Sequence, residues 1–233
     1  MADWTQLGSD IDGEAAYEMS GKSVSLSDDG TIMAIGANCN DATGSLAGHV
    51  RVYVWNGSAW VQRGSDIDGE AAGDESGVSV SLSSDGTIVA IGAYFNDGTG
   101  SLAGHVRVYA WGGSSWAQRG SDIDGEAAGD WSGHSVSLSN DGTIVAIGAP
   151  FNDGTGAEAG HVRVYTMPLS DVLQKVITAN DYINGAAIVH VSPLPNISKT
   201  RLAQTINDNT GIDRISDILD TRFDDKTYYT GDE

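Results

Sequence analysis

The chain has 233 residues, with 32 acidic and 12 basic side chains and a net charge of −20. Nucleic acid and anionic membranes both require clustered Lys and Arg, so this balance excludes them as partners. No apolar run approaches the roughly 18 residues of a membrane span, and the lone cysteine, Cys39, excludes an intrachain disulfide.

The start, "MADWTQLGSD", lacks the basic and apolar regions of a secretion signal. It contains a candidate strand, "WTQLG" (residues 4–8), followed by the acidic phrase "GSDIDGEAA". That phrase begins at Gly8, Gly64 and Gly120, a constant period of 56 residues. Each period reads as four short strands. In order they are the tryptophan strand ("WTQLG", "WVQRG", "WAQRG"), then "SVSLS", then "TIMAIGA" or "TIVAIGA", then "HVRVY". The two-residue alternation in "SVSLS" and "HVRVY" is the mark of a strand.

The links between strands differ in length. "DDG", "SDG" and "NDG" predict tight hairpins, and "WNGSAW" and "WGGSSW" are equally short. By contrast, "SDIDGEAAGDESG" and "YFNDGTGSLAG" are long. Antiparallel strands alternate in direction, so the long Asp- and Gly-rich loops gather at one end of the sheets. Loops on a rigid scaffold are where binding usually sits.

From Pro168 the repeats stop and glycine becomes scarce. "LSDVLQKVITAND" places Leu169, Val172, Leu173 and Val176 at helical spacing, with Ser170 as N-cap. "AAIVHV" reads as a strand, and "SKTRLAQTIND" and "IDRISDILDTRF" as two helices, the second with Ile212, Ile215, Ile218 and Leu219 on one face. The sequence therefore predicts a β-repeat domain over 1–167, in units of about 4–59, 60–115 and 116–167. A small α-rich docking or oligomerisation module follows over 168–233.

The phrase "SGVSVSLSSDGTIVAIGAYFNDGTGSLAGHVRVY" resembles the FG-GAP repeats of integrin-alpha-type β-propellers. The matching pieces are "SG.SVS", the "DG" turn, "AIGA" and a closing "G.VRVY". The rhythm is also similar to a WD40 blade. The resemblance covers roughly residues 4–166 and implies four-stranded propeller blades. It also implies a surface or extracellular setting, without specifying a function; a start without an export signal fits a virion or appendage component, or a fragment of a longer chain. Integrin-type blades hold Ca²⁺ in an extended "DG" hairpin. Here "LSSDGT" and its counterparts are too short to supply about six to eight oxygens, so that site is not carried over.

Three blades are too few for a ring of the usual four to eight. Closure then needs the N-terminal strand to complete the last blade, association into a homo-oligomer, or a different threefold fold such as a trefoil or prism.

Two sets of repeated residues are candidate sites. In "DIDGEAAGD", Asp66, Asp68, Glu70 and Asp74 have a calcium-like spacing, as do Asp122, Asp124, Glu126 and Asp130. The glycine stands at position 4 of this run, where a calcium loop of the EF-hand type wants it at 6, which favours a plain turn. In "HVRVY", Arg51, Arg107 and Arg163 must be paired if buried, and the "DIDGE" acids are the nearest partners. His49, His105 and His161 read as hydrogen-bonded strand residues. Cys39 aligns with Phe95 and Phe151 and reads as a packing residue.

Residues that differ between copies are the better candidates for ligand contact. They fall in "YEMSGK", "GDESGV" and "GDWSGH", and in "NCNDATGSL", "YFNDGTGSL" and "PFNDGTGAE". Tyr17, Lys22, Tyr94, Phe95, Trp131, His134 and Phe151 are accordingly the candidate binding residues. A catalytic site is normally a unique constellation, whereas nearly every polar residue here recurs. The sequence therefore predicts an interaction or adhesion module, not an enzyme, with a protein or glycan partner. A lectin and an intracellular WD40-like scaffold are the alternatives.

Overall fold

The computed structural model describes residues 3–167, 182–183 and 186–187. The chain divides into two compact units, Met1–Tyr165 and Thr166–Glu233. The first unit is all-β among its described residues, and the strands of its first two sheets pair antiparallel, as do Ser135–Leu138 and Ile144–Ala149 of the third.

Three sheets follow one another along the chain. The first contains β1 (Ser23–Leu26), β2 (Ile32–Ala37), β3 (His49–Trp55) and β4 (Trp60–Gln62), with β5 (Ile67–Asp68) pairing further along β3. The second repeats this order with β6 (Ser79–Leu82), β7 (Ile88–Ala93), β8 (His105–Trp111), β9 (Trp116–Gln118) and β10 (Ile123–Asp124). The third contains β11 (Ser135–Leu138), β12 (Ile144–Ala149) and β13 (His161–Thr166).

The tryptophan strand differs from its expected place. It closes the sheet before it and does not open the one after it. The reason is the short turn at Asn56, whose amide donates to the Ala59 carbonyl at 3.1 Å and folds β4 back onto β3. "DID" extends the same outer edge, with Ile67 opposite Val50 and Asp68 opposite His49. Residues 4–8 form no strand, and β13 pairs only with β12 among the described residues. In the second unit, β14 (Tyr182–Ile183) and β15 (Ala186–Ala187) form an antiparallel pair, so "AAIVHV" begins as a strand. The helices expected over 169–181, 198–208 and 212–223 lie outside the described residues.

The core lies between consecutive sheets. Val50, Val52 and Ala34 of the first sheet pack against Val80, Leu82, Val89 and Ile91 of the second. Val106, Val108 and Ala90 of the second pack with Val145 and Ile147 of the third. "AIGA" carries glycine because the next sheet comes very close. A Cβ on Gly36 would lie 2.0 Å from the Gly77 carbonyl oxygen, and one on Gly92 would lie 2.0 Å from that of Gly133. Ser23 Oγ and Ser79 Oγ donate to the same two carbonyls at 2.8 and 2.7 Å.

Each tight hairpin is fixed by its aspartate. Asp85 Oδ1 accepts from Ser83 Oγ, Thr87 N–H and Thr87 Oγ1 at 2.7, 2.9 and 2.8 Å. Burial pushes the Asp85 carboxyl up, but these donors outweigh it and hold the group below the usual carboxylate range. A folded-state value below the unfolded one, about 3.9, gives stability that is complete above about pH 4 and lost as pH falls through the depressed value. Asp85→Asn is expected to lower stability by about 0.5 kcal/mol at neutral pH, a small effect because the side chain is solvent-screened. It should also flatten the acid limb of the stability curve, as measured by urea unfolding from pH 7 down to pH 3.

Candidate functional site

The long links β2–β3, β7–β8 and β12–β13, together with the loops entering β1, β6 and β11, build one loop face. Buried carboxylates tie the two kinds of loop together. Asp74 Oδ2 accepts from Asn96 Nδ2 at 3.0 Å and from Ala71 N–H at 3.2 Å. Asp130 Oδ2 accepts from Asn152 Nδ2 at 2.9 Å and from Ala127 N–H at 3.1 Å. In the first repeat Glu18 takes this role, accepting from Asn40 Nδ2 at 3.1 Å and Glu14 N–H at 2.8 Å.

One residue further on, Met19, Glu75 and Trp131 occupy equivalent positions, all with positive φ: 57°, 52° and 57°. Such a conformation is strained for any residue but glycine, and strain of this kind clusters at functional sites. This is also where the copies differ most in chemistry. At Trp131 the side chains of two repeats converge. Its ring centroid lies 4.4 Å from Phe151, 5.1 Å from Phe95 and 5.3 Å from Tyr94, all edge to face, and 6.5 Å from His134, stacked. Tyr94 also meets Phe95 at 4.0 Å and His134 at 5.8 Å. His134 is exposed, and the other four are half-buried.

The junction before it is polar. Glu75 Oε2 accepts from Asn38 Nδ2 at 2.7 Å and from the Tyr94 hydroxyl at 2.8 Å. Burial, then the hydrogen bond to Glu75, raises the Tyr94 hydroxyl well above its ordinary value, so it stays protonated and donates. Five of the seven candidate residues therefore meet in one patch. Tyr17 is fully exposed at φ 69° and Lys22 is exposed, and neither enters these ring contacts. Sequence reading passed over Glu75. The signal was available, because Glu75 occupies the position of Trp131 in the second repeat.

The "DIDGE" acids do not gather in their own loop. Asp66 faces His49 together with Glu14, whereas Glu70 faces His105 together with Asp122. Asp74 and Asp130 are spent on the asparagine ties. Asp68 and Asp124 use their main-chain carbonyls, which accept from Nη2 of Arg107 and Arg163. The backbone carbonyl of Asp12 accepts likewise from Arg51. Nη1 of the three arginines lies 3.4 Å from Glu14, 3.3 Å from Glu70 and 3.5 Å from Glu126.

The histidines depart from the expectation of satisfied strand residues. Neither nitrogen of the buried His49 has a hydrogen-bond partner, and Nε2 of His105 and of His161 also lacks one. The acids facing these rings stop at 3.6–3.9 Å, beyond hydrogen-bond length. Burial first, then the Arg107 charge, lowers the His105 pKa, which favours a neutral imidazole.

Comparison with known proteins agrees with this repeat architecture. The FG-GAP repeat family matches residues 122–165, which bears out the resemblance over most of the third repeat. Repeats of this family are typical of extracellular proteins. No curated protein matches the chain. Similar solved structures include a putative 6-phosphogluconolactonase from Bacteroides uniformis, at 11% identity and TM-score 0.43, over 62% of this chain and 35% of that one. The periplasmic gluconolactonase PpgL of Pseudomonas aeruginosa gives 17% and 0.42, over 63% and 39%. Sqt1 of Saccharomyces cerevisiae gives 14% and 0.42, over 67% and 34%. The chain thus spans little more than a third of each of these proteins. Two of them are named as lactonases, which stands against the expectation of a non-enzyme. Likeness this distant assigns no activity to the chain. No helix among the described residues is long and apolar enough to cross a membrane.

Asp130→Ala is expected to cost about 2–3 kcal/mol, because it strands the buried Asn152 amide and the Ala127 N–H. The check is urea unfolding followed by tryptophan emission, which should also shift in the folded state as the Trp131 loop loosens.

Proposed function

We propose that the chain is a propeller-type binding module whose loop face recognises a protein partner through the patch formed by Tyr94, Phe95, Trp131, His134 and Phe151. The observation that carries this reading is the convergence of aromatic rings from two repeats around a tryptophan held at positive φ. Aromatic residues with one half-buried face are the usual anchors of protein contacts. A glycan is the second reading. It is favoured by the Glu75 carboxylate beside the rings, an acceptor that sugar hydroxyls could use. The setting in this reading is extracellular, at a cell surface or on a virion.

The module also associates with copies of itself. Val80 and Leu82 are only 8% and 7% exposed because the first sheet covers them, whereas their counterparts Val24 and Leu26 are 62% and 56% exposed. At the other end Val162 and Val164 are 68% and 66% exposed, whereas Val50 and Val106 are fully buried. The two end faces carry the two halves of the contact that joins consecutive sheets inside the chain. A second copy set end to end would bury both and extend the blades toward a ring.

Labelled protein applied to peptide and glycan arrays tests the loop-face reading. Binding should fall by about 30-fold or more in Trp131→Ala, the scale of a central interface anchor, in protein that circular dichroism shows to be folded at the assay temperature. Ligands found only among glycans would move the reading to the lectin. A Trp131→Ala protein that binds like the parent would overturn both.

A further inference from the structure

The two histidine–carboxylate groups lie where β5 and β10 pair with the starts of β3 and β8. In the first, Glu14 comes from the loop entering β1, His49 starts β3 and Asp66 precedes β5. In the second, Glu70, His105 and Asp122 occupy the same places around β8. The ligand-capable atoms of each group all lie within 4.8 Å of one another. His49 Nδ1 stands 3.6 Å from Asp66 Oδ2, and His105 Nδ1 stands 3.9 Å from both Glu70 Oε2 and Asp122 Oδ2.

These separations suit the edge of a coordination shell better than a hydrogen bond. Zinc bound at 2.0–2.1 Å places tetrahedral ligands about 3.4 Å apart, while a hydrogen bond from an imidazole needs about 3.2 Å or less. Burying an imidazole with both nitrogens unsatisfied is costly, and His49 does so with its side chain fully buried. Arg107 adds the support expected around such a site. Its Nη1 takes Glu70 Oε1 and leaves Oε2 turned toward His105. Groups that orient a ligating carboxylate in this way are a regular part of metal sites.

We propose that Glu14, His49 and Asp66, and separately Glu70, His105 and Asp122, each bind a divalent transition-metal ion of the zinc class. One nitrogen and two carboxylate ligands select zinc-like ions over calcium, which takes six to eight oxygens. Three protein ligands leave a coordination position for water. Each ion would fasten the loop entering a sheet to the third strand and outer edge of that sheet. In the second site that loop is the one carrying Glu75. The third repeat has the histidine and glutamate, His161 and Glu126, at 3.7 Å, without the aspartate among the described residues. The proposal does not depend on what the loop face binds.

The test is zinc content by mass spectrometry after the full chain is loaded with ZnCl₂ and passed through gel filtration. At least two ions per chain are expected, with His49→Gln and His105→Gln each losing one and the double variant losing two. Asp66→Asn and Asp122→Asn sit on half-exposed side chains and provide the same losses should a histidine variant fold poorly. Zinc should raise the melting temperature of the parent more than calcium or magnesium does. A parent that retains fewer than two ions, or aspartate variants that retain as many as the parent, would overturn the proposal.

Discussion

The close approach of consecutive sheets is the constraint on which the rest depends. Gly36 and Gly92 let the next backbone come so near that no side chain fits. Ser23 and Ser79 hydrogen-bond to the same carbonyls, and the valines on either side close the core. With a single cysteine the chain has no intrachain disulfide, so its stability leans on these junctions and on the turns that deliver strands to them. The loops follow from the junctions. Gly92–Ala93 at the end of β7 hands the chain directly to Tyr94 and Phe95, and Ser132 and Gly133, which follow Trp131, press their backbone against Gly104 and Gly92 of the second repeat.

The repetition also divides the polar residues by task. Features that recur in every copy build the frame: the turn aspartates, the carboxylate–Asn ties and the arginines. Residues that differ sit at one strained position and its neighbours. Met19, Glu75 and Trp131 share a backbone conformation but have unrelated side chains. One scaffold can thus hold a thioether beside Cys39, a carboxylate beside Tyr94 and an indole beside Phe151. Repetition is therefore informative about structural roles and weak as an argument against catalysis.

Much of this was legible in the sequence because strands and tight turns are local. Period-two alternation marked "SVSLS" and "HVRVY", and Asp-Gly marked the hairpins. The ownership of the tryptophan strand was less legible, because the repeat phase does not say which sheet edge a strand joins. The hairpin at Asn56 decides that by bringing β4 onto β3. Copy-to-copy differences pointed to Trp131, Tyr94 and Phe151. The partition of "DIDGE" was not legible. Asp66 and Glu70 are near in sequence yet serve neighbouring histidines, since β5 turns one toward β3 and the following loop carries the other to the next sheet.

The end faces make the same point about junctions. What is buried between sheets inside the chain is left open at its two ends, by the same residue types at the same repeat positions. Sedimentation velocity across the micromolar range, on the parent and on a Val24→Glu, Val164→Glu double variant, tests this most directly. The account predicts that the parent sediments as a multimer of the chain and the variant as a folded monomer. A parent that stays monomeric throughout, or a charged variant that associates equally well, would contradict it.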